Sequence, residues 1–538
     1  MEILRLAPPV GQRWPRQALI HFQTMTETVL LTGPTGTMGM ALLAELRRRN
    51  YPFRLKVLAR PSKINRKKLA PYLESGRVEA VWGDLTSEDD LRRAVADTDI
   101  VLHVGGLVSP AADRRPRLTW NVNVGAMQRL VKVIGECPSD RVPALVYIGS
   151  VSQYGPRAVP THWGRAGDPM WGASGDVYAL SKIEAERIMA ESGLPRWVSL
   201  RQSGVLAPQL LFKGSDPITF HVPLRGVLEW ATDTASARLL ANLCTAGDIP
   251  DTFWRRFYNI GCGEPFRMTN YLFECRLLRA LSCPPPEKVF DPGWFATRNF
   301  HGIWYTDSDR LEELFHFRGE DTADGYFRYM ASSLPAWFKA AAIVPAPLIK
   351  AGMKMVAARK PLGTLCWRHG ADPVRTEAFF GSEEQREAIP AWSEFDLSEP
   401  VGTPVMLDHG YDETKLPEEL GDEDFAAAAR FRGGEYLGQT EFPIRDGCDA
   451  SAEADSPKIY RPARWKCSQG HTFTACPSTI LLGGHWCPEC LPSPSWSADG
   501  DVTEPHDEEA YRGMAAGNPF SGRRGSAHIR RKSLRNNL

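Results

Sequence analysis

Six short apolar runs alternate with stretches of helical period between residues 28 and about 205, and no other feature restricts the fold as strongly. The runs are Val29–Leu31, Leu55–Leu58, Val78–Val81, Ile100–Val104, Ala144–Ile148 and Val198–Leu200. Strands that are apolar along their whole length are buried on both faces, which is typical of a parallel sheet with helices on either side. The pattern therefore predicts an α/β fold built around a doubly wound parallel sheet.

Length and composition limit what the rest of the chain can be. At 538 residues it is too long for a single core, which predicts two or three domains. The 64 Lys and Arg residues balance 64 Asp and Glu residues, so net charge gives no reason to expect a nucleic-acid partner. Eleven cysteines are too few for a disulfide-rich secreted protein. Since there is no apolar run of about 18–20 residues and no signal peptide, we expect a cytoplasmic protein without a transmembrane segment.

Changes in composition divide the chain into five predicted parts. Met25 directly precedes the first apolar run, so the residues before it are either an N-terminal extension or the product of a start codon assigned too early. The parts are the N-terminal extension (1–24), a sheet domain (25–335) with a smaller substrate lobe mainly in 206–335, a helical or irregular connector (336–457), a compact Cys/His module (458–492) and a disordered tail (493–538).

The first part of the connector, residues 336–361, is apolar and carries five lysine and arginine residues. It predicts a helix that covers the sheet domain while its lysines reach water, or alternatively an amphipathic helix at a membrane surface. Because Pro345 and Pro347 interrupt the segment, we favour the covering helix.

A glycine-rich turn follows the first apolar run. The segment Thr32–Gly39 has glycines at positions 33, 36 and 39 and leads directly into a helical stretch. Such glycines allow a tight turn and let the backbone approach a pyrophosphate, while the helix N-terminus offers free N–H groups to the phosphates. The turn therefore predicts a dinucleotide-binding domain of the Rossmann type.

The residues after the second and third runs bear on the choice of cofactor. The second run ends in Arg60, followed by four more basic residues, and an arginine at this place accommodates the 2′-phosphate of NADP. We therefore predict NADP as the preferred cofactor, with NAD possible; the alternative is a solvated basic loop. After the third run, Asp84 is placed to bond the adenine amino group.

Three residues form a candidate catalytic set. Ser150 follows the fifth apolar run, and Tyr178 and Lys182 lie four residues apart on one face of a helix predicted over Ser181–Glu191. An ammonium group beside a phenol stabilises the phenolate, so we expect Lys182 to lower the pKa of Tyr178 from about 10 toward the working pH. Tyr178 would then exchange a proton with a hydroxyl or carbonyl group, and Ser150 would donate a second hydrogen bond to the same oxygen.

Together these segments resemble the short-chain dehydrogenase/reductase superfamily, in its extended, NAD-dependent epimerase/dehydratase-like branch. The resemblance covers about residues 28–270, in the segments TGPTGTMG, GDL, VLHVGG, WNVNVG, YIGSVSQYG, YALSK, LRQSGVLAP and FYNIGCGEP. It implies Ser150, Tyr178 and Lys182 as the catalytic triad, with Asn123 anchoring a structural water in a proton relay. It also implies a homodimer formed through helices of the cofactor domain. The implied cofactor-binding residues are Gly33, Thr35, Gly36, Thr37, Met38, Gly39, Arg60, Asp84, Leu85, His103, Gly105, Gly106, Lys182, Gln202 and Ser203.

Departures from the family pattern narrow the reaction. Sugar-nucleotide dehydratases carry an Asp-Glu pair after the catalytic hydroxyl residue, where this chain has Val151 and Ser152. Of the segment that marks nucleotide-sugar epimerases, only Arg225 and Asp233 remain. The lobe is rich in aromatic residues, which suits an apolar or ring-bearing small-molecule substrate. We therefore favour a dehydrogenase or reductase. The alternatives are an epimerase of a sugar or sugar nucleotide and a non-catalytic dinucleotide sensor with a partner-binding zinc module.

Four residues near the C-terminus have the spacing of a structural zinc site. Cys467 and His471 form one pair, and Cys487 and Cys490 form a second pair. Two such pairs on tight turns make a closed tetrahedral site, as in zinc-ribbon or treble-clef modules. Cys476 and His485 are alternative ligands, although a spare thiol and a packed histidine are the interpretation we favour.

Overall fold

The computed structural model of the chain describes residues 28–157, 159–173, 175–212, 216–335, 344–400, 402–440 and 456–491. The predicted N-terminal extension and the predicted disordered tail lie outside these ranges, and so do residues 336–343 of the connector.

Within the described ranges, seven parallel strands form the central sheet in the order β3-β2-β1-β4-β5-β6-β7. The order reverses between β1 and β4, and in open parallel sheets ligands bind outside the carboxyl ends of the strands at such a point. The predicted doubly wound, Rossmann-type α/β fold is confirmed. The strands are β1 (Thr28–Thr32), β2 (Arg54–Ala59), β3 (Val78–Trp82), β4 (Ile100–His103), β5 (Ala144–Ser150), β6 (Trp197–Gln202) and β7 (Arg256–Ile260).

Helices cover both faces of this sheet, so alternate residues of each strand enter two separate cores. In β1, Val29 and Leu31 pack on one face with α1 and α7, whereas Leu30 packs on the other with α3 and α5. This is the burial on both faces that the apolar runs predict. The helices are α1 (Thr37–Arg48), α2 (Lys63–Leu73), α3 (Glu88–Val95), α4 (Pro116–Trp120), α5 (Ala126–Gly135), α6 (Val177–Ala190) and α7 (Asp233–Thr245).

Helix α6, which carries Tyr178 and Lys182, begins four residues earlier than predicted. Asp176 precedes it, and the Asp176 carboxylate accepts a hydrogen bond of 2.8 Å from the Ala179 N–H. An aspartate in this position satisfies one of the free N–H groups of the first turn, which explains the earlier start. Tyr178 therefore lies in the first turn of α6.

Strand β7 is absent from the predicted strands. It pairs only with β6, at the edge of the sheet, and two of its five residues, Arg256 and Tyr258, are only partly buried. A strand at an edge lacks the continuous apolar run by which the inner strands are recognised. Residues 256–260, which the sequence places in the lobe, thus complete the sheet.

The substrate lobe and the connector share an aromatic core. In the lobe, Phe220 packs edge-to-face against Phe290, Trp294 and Phe295. Val356 of the connector joins the same cluster. The lobe helices are α8 (Asn270–Ala280), α9 (Pro286–Val289), α10 (Asp309–Phe315) and α11 (Ala323–Ser332), and the connector helices are α12 (Ala346–Ala357), α13 (Pro373–Phe380) and α14 (Glu383–Glu387).

Helix α12 explains the two prolines of the connector. Pro345 is its N-cap residue and Pro347 lies in its first turn, where a missing N–H costs nothing. The prolines therefore begin this helix and do not break it. No helix in the described ranges combines the length and the apolar character that a membrane span requires.

The Cys/His module includes residues that the sequence assigns to the connector. Strand β8 (Glu435–Gln439) pairs antiparallel with β9 (Ala463–Lys466), and β9 pairs with β10 (Thr472–Ala475). Phe425 of α15 (Asp422–Phe431) and Ile480 of α16 (Pro477–Leu481) lie in one core with Trp465. So small a module cannot build a core alone, and residues 420–439 provide a large part of it.

This packing predicts unequal effects of two truncations. Phe425 is fully buried in the core of the module, and Phe425→Ala should lower the free energy of unfolding by about 3–5 kcal/mol. Leu437 on β8 is 43% exposed, and Leu437→Ala should change the free energy of unfolding by less than about 0.5 kcal/mol. Urea unfolding followed by tryptophan fluorescence measures both, and equal effects would contradict the assignment of residues 420–439 to the module.

Candidate active site

A cavity of about 1810 Å³ lies at the carboxyl ends of the central strands. It runs from the turn after β1, past the ends of β4 and β5 and the start of α6, into the lobe. Most of the predicted site residues line it, namely Gly33, Thr35, Gly36, Thr37, Met38, Gly39, Arg60, Asp84, Leu85, Gly105, Gly106, Ser150, Tyr178, Lys182, Gln202 and Ser203. The fold thus brings together residues that are up to 170 positions apart in the chain (Gly33 to Ser203).

Two glycines of the turn after β1 are required by the packing of the protein itself. Gly33 has a φ of +69°, and a Cβ atom there would lie 2.6 Å from Gly105 Cα. A Cβ atom on Gly39 would lie 2.3 Å from the Gly33 oxygen. Both distances are far shorter than real contacts of a Cβ atom, so a larger residue would force the turn away from β4 or from α1.

Gly36 differs from them, because the protein has room for a side chain there. A Cβ atom on Gly36 would meet the Gly33 oxygen at 3.5 Å, an ordinary contact. Gly36 is also the N-cap of α1, and this helix has neither a side-chain cap nor an acidic residue in its first turn. The free N–H groups of α1 therefore face the cavity, and a phosphate group fits that arrangement.

The basic residues after β2 divide into separate roles. Arg60 is exposed and lines the cavity. Arg66 lies over the ring of Trp82, with 4.3 Å between the guanidinium carbon and the ring centroid, and Lys68 donates to the Thr35 oxygen at 3.0 Å. Of these three, Arg60 alone is placed to meet a ligand. The Asp84 carboxylate accepts hydrogen bonds of 2.9 and 2.8 Å from the N–H and hydroxyl of Thr86.

His103 and Asn123 lie behind the wall of the cavity. The Nδ1 atom of His103 is 3.0 Å from Thr32 Oγ1, which accepts a hydrogen bond from the Gly105 N–H at 3.0 Å. Burial lowers the pKa of His103 to about 3, so its imidazole is neutral. The His103 side chain therefore joins the ends of β1 and β4, and it is not among the residues that line the cavity.

Asn123 lies in one turn of π-helix, Asn121–Gly125, between α4 and α5. Its amide nitrogen donates to the Leu107 oxygen at 3.0 Å and to the Ser181 hydroxyl at 2.9 Å, and its oxygen accepts from the Leu107 N–H at 2.8 Å. Single π turns are frequent at functional sites because they redirect a side chain. Here the turn lets Asn123 join the loop after β4 to helix α6. Its role in a proton relay stays a prediction.

The three candidate catalytic residues line one wall of the cavity. The Ser150 hydroxyl accepts hydrogen bonds from the Ser152 hydroxyl at 2.9 Å and the Ser152 N–H at 3.2 Å. Ser150 also lies close enough to Tyr178 to lower the pKa of its phenol. The Lys182 ammonium donates to the Ile148 oxygen at 2.7 Å and lies 4.8 Å from the centroid of the Tyr147 ring.

The pKa of Tyr178 is raised, contrary to the expectation from its spacing with Lys182. Burial raises it to about 12, Ser150 opposes this, and the charges of Asp176 and Asp113 add to it. The Lys182 ammonium is directed to the Ile148 oxygen and does not offset these effects. Burial in turn lowers the pKa of Lys182 to about 8, against the attraction of Glu186. In the protein alone, Tyr178 is therefore a neutral phenol that can donate a proton.

Two partly buried carboxyl groups beside Tyr178 were not predicted from the sequence. Burial raises the pKa of Asp113 to about 6 and that of Asp176 to about 7, and each group lines the cavity. The Asp113 carboxylate also accepts a hydrogen bond of 3.0 Å from the Ser109 hydroxyl. Asp176 could have been found as the helix-capping residue just before Tyr178. Asp113 lies in a loop without a local signal.

Beyond Tyr178 the cavity is predominantly apolar. Trp230 and Phe273 stack with 4.6 Å between their ring centroids. Arg225, one of the two residues kept from the epimerase segment, lines the cavity but pairs with Asp396, and the other, Asp233, accepts a hydrogen bond from the Tyr326 hydroxyl. Lobe and connector both contribute apolar lining residues, among them Leu210, Leu228, Trp230, Phe273, Leu277, Phe290, Ile349, Met353 and Phe379.

The four predicted metal ligands lie together in the Cys/His module, and their ligand atoms are all within 4.8 Å of one another. Cys490 Sγ is 3.6 Å from Cys467 Sγ and 3.4 Å from His471 Nδ1, and Cys487 Sγ is 3.7 Å from His471 Nδ1. Ligands on a tetrahedral zinc ion, with Zn–S bonds of about 2.3 Å, lie about 3.5–3.8 Å apart. The cluster therefore has the donor atoms and spacing of a zinc site.

The two alternative ligands point elsewhere. Cys476 Sγ donates to the Tyr460 oxygen at 3.5 Å, and His485 Nε2 lies 2.9 Å from the Glu186 carboxylate.

Comparison with known proteins shows what the sheet domain is similar to. Among curated proteins, the chain is 28% identical to mouse 3 beta-hydroxysteroid dehydrogenase type 7 over 196 residues, which are 34% of this chain and 51% of that protein. It is 30% identical to the human protein of the same name over 191 residues, 33% of this chain and 49% of that protein. The chain thus spans about half the length of these relatives.

Solved structures with a similar fold include UDP-glucose 4-epimerase from Bifidobacterium longum in complex with NAD+ and UDP. That structure is 19% identical, with a TM-score of 0.43 and coverage of 56% of this chain and 97% of the other. A second is dTDP-glucose 4,6-dehydratase from Bacillus anthracis in complex with NAD, 14% identical, with a TM-score of 0.44 and coverage of 57% and 96%. Residues 29–213 match the family described as NAD dependent epimerase/dehydratase. The match is confined to this segment, which carries the glycine-rich turn, Ser150, Tyr178 and Lys182.

Proposed function

We propose that this protein is an NAD(P)-dependent oxidoreductase that interconverts a hydroxyl and a carbonyl group on an apolar, ring-bearing small molecule. The observation that carries the proposal is the wall formed by Ser150, Tyr178 and Lys182, which stands between the glycine-rich turn and the apolar end of one cavity. A dinucleotide with its phosphates at the turn and a substrate in the lobe would meet at these three residues.

Each of the three residues has a task in this reaction. Tyr178, kept neutral by burial, donates a proton to a substrate carbonyl, and Ser150 donates a second hydrogen bond to the same oxygen. Lys182 lies one helical turn from Tyr178 and would hold the nicotinamide ribose. The bound nicotinamide supplies or accepts the hydride. In the reverse direction Tyr178 must act as a base, which requires that its pKa fall once the site is filled.

The lining of the substrate end supports an apolar substrate. Stacked Trp230 and Phe273 offer flat apolar surface, and the two residues kept from the epimerase segment are held by protein partners. The names of the mammalian relatives, which are hydroxysteroid dehydrogenases, point to the same class of molecule. A hydroxysteroid is therefore a sensible first substrate to test.

Replacing the catalytic phenol gives the most direct test. Tyr178→Phe should lower kcat by about 10²–10⁴-fold, since it removes the proton donor, and should leave the affinity for NADPH nearly unchanged. Turnover of hydroxysteroids and simpler cyclic alcohols and ketones is followed by nicotinamide absorbance, and NADPH binding by its fluorescence.

Tyr72→Phe serves as the control, because Tyr72 lies on α2 outside the cavity lining. Unchanged turnover in Tyr178→Phe would refute the proposed role. A wild-type protein that binds NADPH but turns over no substrate would favour the dinucleotide sensor, and conversion of a UDP-sugar without net nicotinamide reduction would favour the epimerase.

Arg60 predicts the choice of cofactor. A guanidinium that bonds the 2′-phosphate makes a charge-assisted interaction, so the KM for NADPH should be at least about ten-fold below that for NADH. Arg60→Ala should abolish this difference. Arg66→Ala is the matched control, since Arg66 lies on Trp82 and should leave the ratio unchanged. A wild-type preference for NADH would contradict the prediction.

We also propose that Cys467, His471, Cys487 and Cys490 hold a structural zinc ion. Two pairs of ligands fill a tetrahedral site and leave no position for a substrate, so the metal would stabilise the module without taking part in the reaction.

Elemental analysis should find about one zinc per chain in the wild type. Cys490→Ser should lower this content and the midpoint of thermal unfolding. Cys137→Ser, in a thiol that donates to the Val133 oxygen outside the module, should change neither. A wild type without zinc and with a disulfide between Cys487 and Cys490 would overturn the assignment.

A further inference from the structure

Helix α6 connects the candidate catalytic residues to the Cys/His module. Tyr178, Lys182 and Glu186 follow one another at intervals of four residues, so they lie on one face of α6, one turn apart. Glu186 is fully buried, and its Oε1 atom accepts a hydrogen bond of 2.9 Å from His485 Nε2 of the module. A side chain 299 positions further along the chain thus lies one turn behind Lys182.

Glu186 is also paired with the central sheet. Arg201 on β6 donates through Nη2 to Oε1 at 2.6 Å and through Nε to Oε2 at 3.1 Å, and the Ser199 hydroxyl donates to Oε2. The side chains of Glu186 and Arg201 are both 0% exposed. A carboxylate removed from water stays ionised only if such partners surround it, and here they hold the pKa of Glu186 well below its usual range.

The module reaches Arg201 as well. Nη2 of Arg201, which bonds Glu186 Oε1, also donates to the Gly483 oxygen at 2.5 Å, and Nη1 donates to the Tyr154 hydroxyl at 2.7 Å and to the Ala166 oxygen at 2.8 Å. The loop Gly483–His485 therefore contributes a carbonyl oxygen to the buried cation and an N–H to the buried anion. It completes both halves of the ion pair.

This loop is shaped for its place in the sheet domain. Gly484 has a φ of +76°, and a Cβ atom there would lie 2.0 Å from the Asp168 oxygen. A Cβ atom on Gly483 would lie 2.7 Å from the Phe257 ring, and the Gly484 oxygen accepts from the Met170 N–H at 3.1 Å. Glycines at both positions thus allow the backbone to enter where a side chain would prevent it.

A second contact holds the other end of α6. Glu191 follows its last turn, and the Glu191 carboxylate accepts from the Cys476 N–H at 3.1 Å. The module therefore donates hydrogen bonds to α6 at Glu186 and at Glu191, both on the part of the helix that follows Lys182.

We infer that His485 is a positioning residue for the proposed reaction: by fixing Glu186 behind Lys182 it makes the Cys/His module part of the catalytic apparatus. The inference rests on the proposed function. The negative charge of Glu186 favours the ammonium form of Lys182, which burial opposes. Loss of the hydrogen bond from His485 removes one of the two donors to Oε1, and the loop that supplies the Gly483 oxygen to Arg201 loses its bond to the anion. The ion pair of Glu186 and Arg201 can then shift relative to Lys182, which weakens the counter-charge that Lys182 receives. Since Cys487 is two residues from His485, the same loop leads directly into the proposed metal ligands.

The test compares two substitutions of His485 in the full-length protein. His485→Leu removes the donor and keeps the volume, whereas the amide nitrogen of His485→Gln can still reach Glu186. We expect His485→Leu to lower kcat about ten-fold while the KM for substrate and the affinity for NADPH change less than about two-fold, and His485→Gln to restore kcat to near the wild-type value. A purely structural defect would lower both variants together and would also weaken NADPH binding.

Two outcomes would overturn the inference: a wild-type kcat in His485→Leu, or an equal loss in both variants. A third variant, His485→Asn, keeps an amide that is too short to reach Glu186. If His485→Leu loses NADPH binding, the inference stands only when His485→Gln is normal and His485→Asn loses kcat alone. Any other combination overturns it. Zinc content measured on each variant shows whether the module remains loaded. Failure of the proposed function looks different, because the wild type itself would then turn over no alcohol or ketone.

Discussion

The buried ion pair between Glu186 and Arg201 is the constraint that joins the central sheet, helix α6 and the Cys/His module. Arg201 comes from the central sheet and Glu186 from the helix that carries Tyr178 and Lys182. The module adds the Gly483 oxygen to the cation and the His485 side chain to the anion, and the sheet domain supplies their other partners. Breaking such a pair costs about 3–5 kcal/mol because it leaves one charge buried without a partner. Displacing the module would remove the Gly483 and His485 hydrogen bonds from these two buried charges, so its position is determined by charge as well as by apolar packing.

The sheet could be predicted from the sequence because its signal is local. A strand that is buried on both faces is a continuous apolar run, such as Val29–Leu31. Strand β7 was not predicted because an edge strand keeps polar residues like Arg256. The same holds in the site. Tyr178 and Lys182 are recognisable by their spacing on one helix. The role of Arg201 could not be recognised in the same way. An arginine in a strand is expected to be exposed, and its partner at Gly483 lies 282 positions later in the chain.

The electrostatics of the site could not be predicted from spacing either. Four residues between a tyrosine and a lysine suggest a lowered pKa for the phenol, but burial and two neighbouring carboxyl groups act in the opposite direction. The Lys182 ammonium donates a hydrogen bond to the Ile148 oxygen and lies over the face of the Tyr147 ring. The charge balance among the protein groups of the cleft thus favours the phenol as a proton donor. A ligand that competes with the Ile148 oxygen for Lys182 would shift that balance toward the phenolate.

The family match and the substrate end of the cavity occupy different parts of the chain. The match ends at residue 213, while the apolar lining beyond Tyr178 continues through Trp230 and Phe273 to Phe379 of the connector. Because Phe379 also packs on Trp367 and His221, the connector is fixed against the lobe and its lining residues have defined positions. Residues that select a substrate must contact it. The proposed substrate would therefore be selected mainly by residues of the lobe and connector, and a change of specificity should be sought there and not in the Rossmann-type domain that carries Ser150, Tyr178 and Lys182.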